Sequence, residues 1–271
     1  LPGCDRGTGG TTSRYRHRMS GTLLVRPPSP RLADGELTHL DRVPVDAGLA
    51  RRQWDDYLAI FADRGWQVRE LPATDEHPDG VFVEDAVVVF DDLAVLTRPG
   101  AATRRGEVAS MRPVVASLGL EVAEIEAPAT LEGGDVLKVG RTAYVGRSSR
   151  TDDDGVARLR TLLEPRGWRV VAVPVTRVLH LKSAVTALPD GTVIGHEPLV
   201  EAPEVFESFL PVPEPEGNAV VVLDERTVLL SASAPRTADL LRGRGLEVVT
   251  SPVTEFEKLE GCVTCLSVRV R

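Results

Sequence analysis

Apolar and polar positions along this chain fall into a pattern that returns four times. An amphipathic segment ends in Gly, and then an apolar residue, a polar residue and Val follow. The instances are Gly65-Trp66-Gln67-Val68, Gly119-Leu120-Glu121-Val122, Gly167-Trp168-Arg169-Val170 and Gly245-Leu246-Glu247-Val248. Gly at such a place fits the left-handed cap of a helix, and Val fits the start of a strand. The preceding segments read as helices. From Ala50 to Asp63, Trp54, Leu58 and Phe61 share one face. A shorter helix is predicted from Thr237 to Leu241.

Between these helix–strand units lie paired β-rich runs, read as hairpins. They span 86–97 about Asp91-Asp92, 135–146 about Gly140-Arg141, 184–195 about Asp190-Gly191 and 219–230 about Asp224-Glu225. The third and fourth Gly signals stand roughly twice the usual interval apart. That gap is expected to hold a degenerate unit, a helix over 203–210 and then a Pro-rich loop. About five units of strand pair, helix and strand result. The last run, 265–271, has no hairpin mate after it. The run 21–25 can supply one, which closes a ring and removes exposed sheet edges. The expected fold is an α/β five-bladed propeller, a single domain over 19–271 with its site in a central channel. A doubly wound α/β sheet is the competing fold, but no GxGxxG or GxxxxGK[ST] turn supports it.

Composition narrows the function. The chain has 271 residues, 42% of them apolar, enough to bury a core. Its net charge is −8 and it has no basic stripe, which argues against nucleic acid or an anionic membrane as partner. No apolar run approaches the ~18 residues of a membrane span. Residues 1–18 are polar and Arg-rich, without the apolar stretch of a secretory signal. They are expected to be a disordered leader, with Met19 the natural start. Three cysteines make no disulfide framework, so a reducing, cytoplasmic setting is expected. A homodimer is compatible with the sequence. Lysine is almost absent; only Lys138, Lys182 and Lys258 occur.

In a ring of repeats, strand ends point toward one axis. Four polar clusters occupy equivalent strand starts: Phe82-Val83-Glu84-Asp85, Leu131-Glu132-Gly133-Gly134-Asp135, His180-Leu181-Lys182-Ser183 and Thr264-Cys265-Leu266-Ser267. Convergence from different repeats is what a catalytic constellation requires. Cys265 taken alone is more often a buried small hydrophobe. Cys262 and Cys265 form C-x-x-C, but there is no second pair for zinc, Cys4 is a poor third ligand, and the thioredoxin-like setting is absent. Among five histidines, His180 is the one at an equivalent strand start, and pairing with a cysteine favours acid/base work. Of the adjacent Glu84 and Asp85, only one need point inward, because neighbours on a strand face opposite ways. Several carboxylates around one cavity predict a cationic ligand with an N–H fork.

At these residues the chain resembles the dimethylarginine dimethylaminohydrolases of the guanidino-group-modifying (pentein) superfamily, which share the five-bladed α/β propeller. The matching blocks run in family order: Asp79-Gly80-Val81-Phe82-Val83-Glu84-Asp85, Thr97-Arg98-Pro99-Gly100 with Arg104-Arg105, Leu131 through Leu137, Ser149-Arg150-Thr151, His180 through Ser183, and Gly261 through Ser267. The resemblance implies Cys265 as nucleophile, His180 as acid/base and Glu132 as its acidic partner. It implies substrate contacts from Asp79, Glu84 and Asp85, from Arg98 and Arg150 at the amino-acid end, and from the backbones of Leu37 and Leu259. Cys262 matches no catalytic position. Lys182 matches the dimethylarginine branch, whereas arginine deiminases carry Asp there.

The activity implied is hydrolysis of N-omega-methylated arginine to citrulline and methylamines through a covalent thiouronium on Cys265. The substrate is a small guanidine, with no cofactor or metal. Three rivals remain: a redox or zinc protein using Cys262 and Cys265, the same chemistry on free arginine, and a non-catalytic propeller such as the ribosome anti-association factors that resemble this fold. The latter lack the Cys, His and acid set.

Overall fold

Each β-rich pair folds into a hairpin, and each following strand returns parallel to the hairpin's second strand. A computed structural model describes residues 21–271, in five sheets of three strands each. One blade pairs Val87–Phe90, Leu93–Leu96 and Glu121–Glu124. The next pairs Val136–Val139, Thr142–Arg147 and Arg169–Pro174. Two more follow: Val185–Ala187, Val193–Gly195 and Phe209–Pro211, then Val220–Val222, Thr227–Ser231 and Glu247–Ser251. The remaining blade joins the two ends of the described chain. Thr22–Val25 runs antiparallel to Val268–Val270 and parallel to Gln67–Glu70. That closure satisfies the backbone groups of both terminal strands and completes the ring.

The expected leader and Met19 lie outside the described residues. The helix of the first blade runs over Ala47–Ala62, capped by the Asp46 carboxylate, which accepts from Leu49 N–H. It buries Trp54, Tyr57 and Phe61, each worth roughly 1.5–3 kcal/mol of transfer free energy. The later helices are Met111–Ser117, Asp153–Leu163 and Pro235–Gly243. All four repeat glycines have φ between +77° and +86°, the left-handed cap conformation.

Two expectations need correction. No helix forms over 203–210. A 3-10 turn, Pro203–Val205, is followed by the strand Phe209–Pro211. The open edge of Val193–Gly195 takes the end of the segment, Phe209–Pro211, as its parallel partner, which satisfies that edge's backbone groups. The four polar clusters also stand one turn earlier than expected. Glu84 and Asp85 lie in the 3-10 turn Val83–Asp85, and Glu132 precedes Gly133–Asp135. His180 precedes the short helix Leu181–Ala184, and Cys265 lies in a turn before Val268–Val270. These elbows carry the site.

Candidate active site

The elbows of neighbouring blades interlock because two glycines allow it. A Cβ on Gly133 would stand 1.9 Å from the carbonyl oxygen of Glu84. A Cβ on Gly134 would stand 2.5 Å from His180 Nδ1 and 2.7 Å from Asp85 Oδ1. With bare backbone there, Gly134 N–H donates to Asp85 Oδ1 at 2.9 Å. The imidazole fits against the elbow, with Nδ1 3.9 Å from the same oxygen. Its other nitrogen, Nε2, is 2.6 Å from Glu132 Oε2. Asp135 fixes the elbow that carries His180: it accepts from Leu181 N–H at 2.9 Å, Ser148 Oγ at 2.6 Å and Thr151 Oγ1 at 2.7 Å.

All of these groups except the half-buried Ser148 are buried. Burial alone would neutralise His180, but Asp85, the hydrogen bond to Glu132 and the charge of Asp135 outweigh it and raise its pKa to about 9. Burial likewise opposes the Glu132 carboxylate. The bond to His180, its charge, and those of Arg104 and Arg150 prevail and hold Glu132 below the usual range. Histidine and glutamate therefore form an imidazolium–carboxylate pair at neutral pH.

Arg104 ties the carboxylates together. It donates to Asp85 Oδ2 at 2.8 Å and grips Glu107 with two bonds, at 3.1 and 2.9 Å. It also stands 3.8 Å from Glu132. The sequence placed Arg104 beside a family block without giving it a role; its burial among three carboxylates is visible only in three dimensions.

Cys265 faces the same cavity as His180, Asp85, Asp79, Arg104, Arg150 and Leu259. Its thiol is pushed well up, first by the hydrogen bond with Cys262 and then by burial and the nearby acids. A lid from the segment before the first helix covers this cavity. Glu36 N–H donates to Asp79 Oδ2 at 3.1 Å, and the amides of Thr38 and His39 donate to Glu260 at 2.8 and 2.6 Å. Arg150 reaches up to Thr38 Oγ1 at 3.0 Å and stands 3.6 Å from Glu132, its Nη1 without a hydrogen-bond partner. Leu37 lies within the lid, half-buried against the core. Nothing in the sequence marked Glu36 or Glu260, because each acts through a loop contact remote in the chain.

Two of the expected substrate contacts are not brought to this cavity by their side chains. Glu84 turns the other way. Its Oε1 is 2.7 Å from Lys182 Nζ and 2.9 Å from Arg269 Nη2, and it lines a separate cavity of about 320 Å3. A 3-10 turn has about three residues per turn, so successive side chains diverge, and Asp85 alone faces His180. Arg98 is tied to the carbonyls of Pro128 and Ala129, at 3.2 and 3.1 Å, outside the cavity lining.

Asp85, Glu132 and His180 are, among the described residues, the group close enough to share a metal ion. Their atoms are already engaged with one another and with Arg104, so the set reads as a charge network rather than as ligands awaiting a metal.

No family model matches the chain. Individual proteins do. An N(G),N(G)-dimethylarginine dimethylaminohydrolase of Streptomyces coelicolor is 58% identical over 252 residues, covering 93% of this chain and 98% of that protein. A Pseudomonas aeruginosa dimethylarginine dimethylaminohydrolase, a cysteine-to-serine mutant complexed with citrulline, superposes with a TM-score of 0.85 at 32% identity, covering 92% of this chain and 98% of the other. A second dimethylarginine dimethylaminohydrolase structure, a histidine-to-glycine variant in an adduct with S-methyl-L-thiocitrulline, gives the same TM-score, 0.85, and covers 99% of that chain. With identity of this level along nearly the whole length, on a propeller whose elbows bring Cys265 and His180 to one cavity with Glu132 bonded to His180, the chain belongs to the dimethylarginine dimethylaminohydrolase family.

Proposed function

We propose that this enzyme hydrolyses N-omega-methylated arginine, asymmetric dimethylarginine and monomethylarginine, to citrulline and di- or monomethylamine. The observation that carries the reading is that His180, in the cavity that Cys265 faces, is held as imidazolium by a 2.6 Å bond to the buried Glu132. The complexes of relatives with citrulline and with a thiocitrulline adduct support it.

Asp85 and Asp79 receive the guanidinium, and Arg150 receives the substrate carboxylate through its free Nη1. The bond with Cys262, burial and the nearby acids keep Cys265 as a thiol. A bound cation changes that balance: at ~4 Å and an effective dielectric of ~20, its attraction for a thiolate is about 4 kcal/mol, or roughly 3 pK units. The substrate thus ionises its own nucleophile. The thiolate attacks the guanidinium carbon, forming a C–S bond. His180, held as imidazolium by Glu132, protonates the dimethylamine nitrogen as the C–N bond breaks. A thiouronium remains on Cys265. The now neutral His180 takes a proton from water as its oxygen attacks, and collapse returns the Cys265 thiolate and releases citrulline. Acid and base are the same imidazole, so the sequence of steps balances without an added cofactor. Cytoplasmic action and a homodimer belong to the same proposal, testable by cell fractionation and by sedimentation.

The test is citrulline release from asymmetric dimethylarginine, with free arginine run beside it, by the wild type and by Cys265→Ser. The variant should be folded and inert. Comparable citrulline from the serine variant would remove Cys265 from the mechanism, and faster turnover of free arginine would change the substrate.

A further inference from the structure

Cys262 lies outside the proposed reaction, yet its sulfur is 3.2 Å from that of Cys265. The C-x-x-C segment forms a turn closed by Cys265 N–H donating to the Cys262 carbonyl at 3.1 Å. Such a turn brings its end Cα atoms within about 7 Å, the upper range for disulfides. Cys262 N–H also points at the Cys265 sulfur, at 3.4 Å. From 3.2 Å, a bond of about 2.05 Å needs only small side-chain rotations and no movement of the blades.

The two sulfurs are placed differently. Cys265 faces the cavity with His180, whereas Cys262 is half-buried behind it, outside the cavity lining and packed against the core. We propose that Cys262 is a resolving thiol, and that a hydroperoxide entering the cavity converts Cys265 to an intramolecular Cys262–Cys265 disulfide.

The chemistry is a two-step, two-electron oxidation. Cys265 passes its thiol proton across the 3.2 Å contact to the Cys262 sulfur as its own sulfur attacks one peroxide oxygen; the O–O bond breaks, and the leaving oxygen takes a proton from the His180 imidazolium. Cys265 is then a sulfenic acid. The Cys262 sulfur attacks the sulfenic sulfur, the S–O bond breaks, and the departing hydroxide leaves as water with the Cys262 proton. The thiols lose two electrons and the peroxide becomes water and an alcohol, or two waters from hydrogen peroxide. The pKa of Cys262 is lowered, chiefly by the hydrogen bond with Cys265, which supports its thiolate as the acceptor of the Cys265 proton in the first step. The disulfide blocks the nucleophile reversibly and keeps it from the irreversible sulfinic state.

The experiment treats the reduced full-length protein with hydrogen peroxide, blocks remaining thiols with N-ethylmaleimide, and maps the tryptic peptide 259–269, which carries both cysteines and excludes Cys4. The wild-type peptide should lose the mass of two hydrogens and take no maleimide, and dithiothreitol should restore both the mass and the citrulline-releasing activity. Cys262→Ala and Cys262→Ser, each compared with its own reduced form, should instead accumulate sulfinic acid at Cys265 and lose activity that dithiothreitol does not restore. A wild-type peptide with free Cys262 beside oxidised Cys265, or one still fully reduced, overturns the proposal. The mass readout is independent of substrate, so it stands or falls separately from the hydrolase reading.

Discussion

Replacing Glu132 with Gln removes the charge nearest His180 while keeping the shape of the side chain. In the native site the imidazole pKa rises from 6.5 to about 9. At about 1.4 kcal/mol per unit, that is roughly 3 kcal/mol in favour of imidazolium. Asp85 and Asp135 supply part of it and survive the substitution; the bond at 2.6 Å to Glu132 does not survive as a charged contact. A Gln amide can moreover donate to Nε2, which favours the neutral ring. The His180 pKa is therefore expected to fall by about 1–2 units, the usual effect of one close opposite charge. His180 must be protonated to expel dimethylamine, so the alkaline limb of kcat should move down by the same amount. Stability should follow. A raised folded pKa contributes stability that is fully present below 6.5 and is lost as pH rises through about 9, and in the variant this loss should come at lower pH. The assays are a pH profile of kcat for citrulline release and an NMR titration of the His180 ring. An alkaline limb that stays in place or moves up would refute the assignment of Glu132 as the group that charges His180.

Arg104→Met should destabilise the fold by about 3–5 kcal/mol, because Asp85 and Glu107 lose a buried cation that no water replaces. Denaturant unfolding measures it, and a loss below about 1 kcal/mol would contradict the role given to Arg104. Asp85→Asn should raise KM about tenfold or more, the cost of one charged hydrogen bond, whereas Glu84→Gln should change KM by less than about threefold. Glu84 should show its effect in stability instead, since Lys182 and Arg269 lose their shared carboxylate. A larger KM effect at Glu84 than at Asp85 would mean that the carboxylates exchange cavities when substrate binds.

The ring of five units was legible in the sequence because its signals are local. A Gly that must take positive φ after an amphipathic helix, and a β-rich pair about a turn, are properties of a few neighbouring residues, and the same tertiary role repeats them. The closing pair of Thr22–Val25 with Val268–Val270 was legible for a related reason: each run lacked a partner nearby. Candidate chemistry followed from residue type at repeat-equivalent positions, which is why Cys265, His180, Glu132 and Asp85 stand out as candidates in the sequence alone. The helix expected over 203–210 failed because its propensity is weak and a sheet edge outside the segment competed for its backbone. Tertiary structure alone decided which way a side chain leaves an elbow. Glu84 and Asp85 are neighbours in sequence, yet one faces Lys182 and Arg269 and the other faces His180 and Arg104. It alone decided that Arg104 binds three acids, that Glu260 holds the lid, and that Cys262 rests against Cys265. Each of these depends on contacts between segments far apart in the chain, where direction and distance are set by packing and a linear pattern carries no record of them.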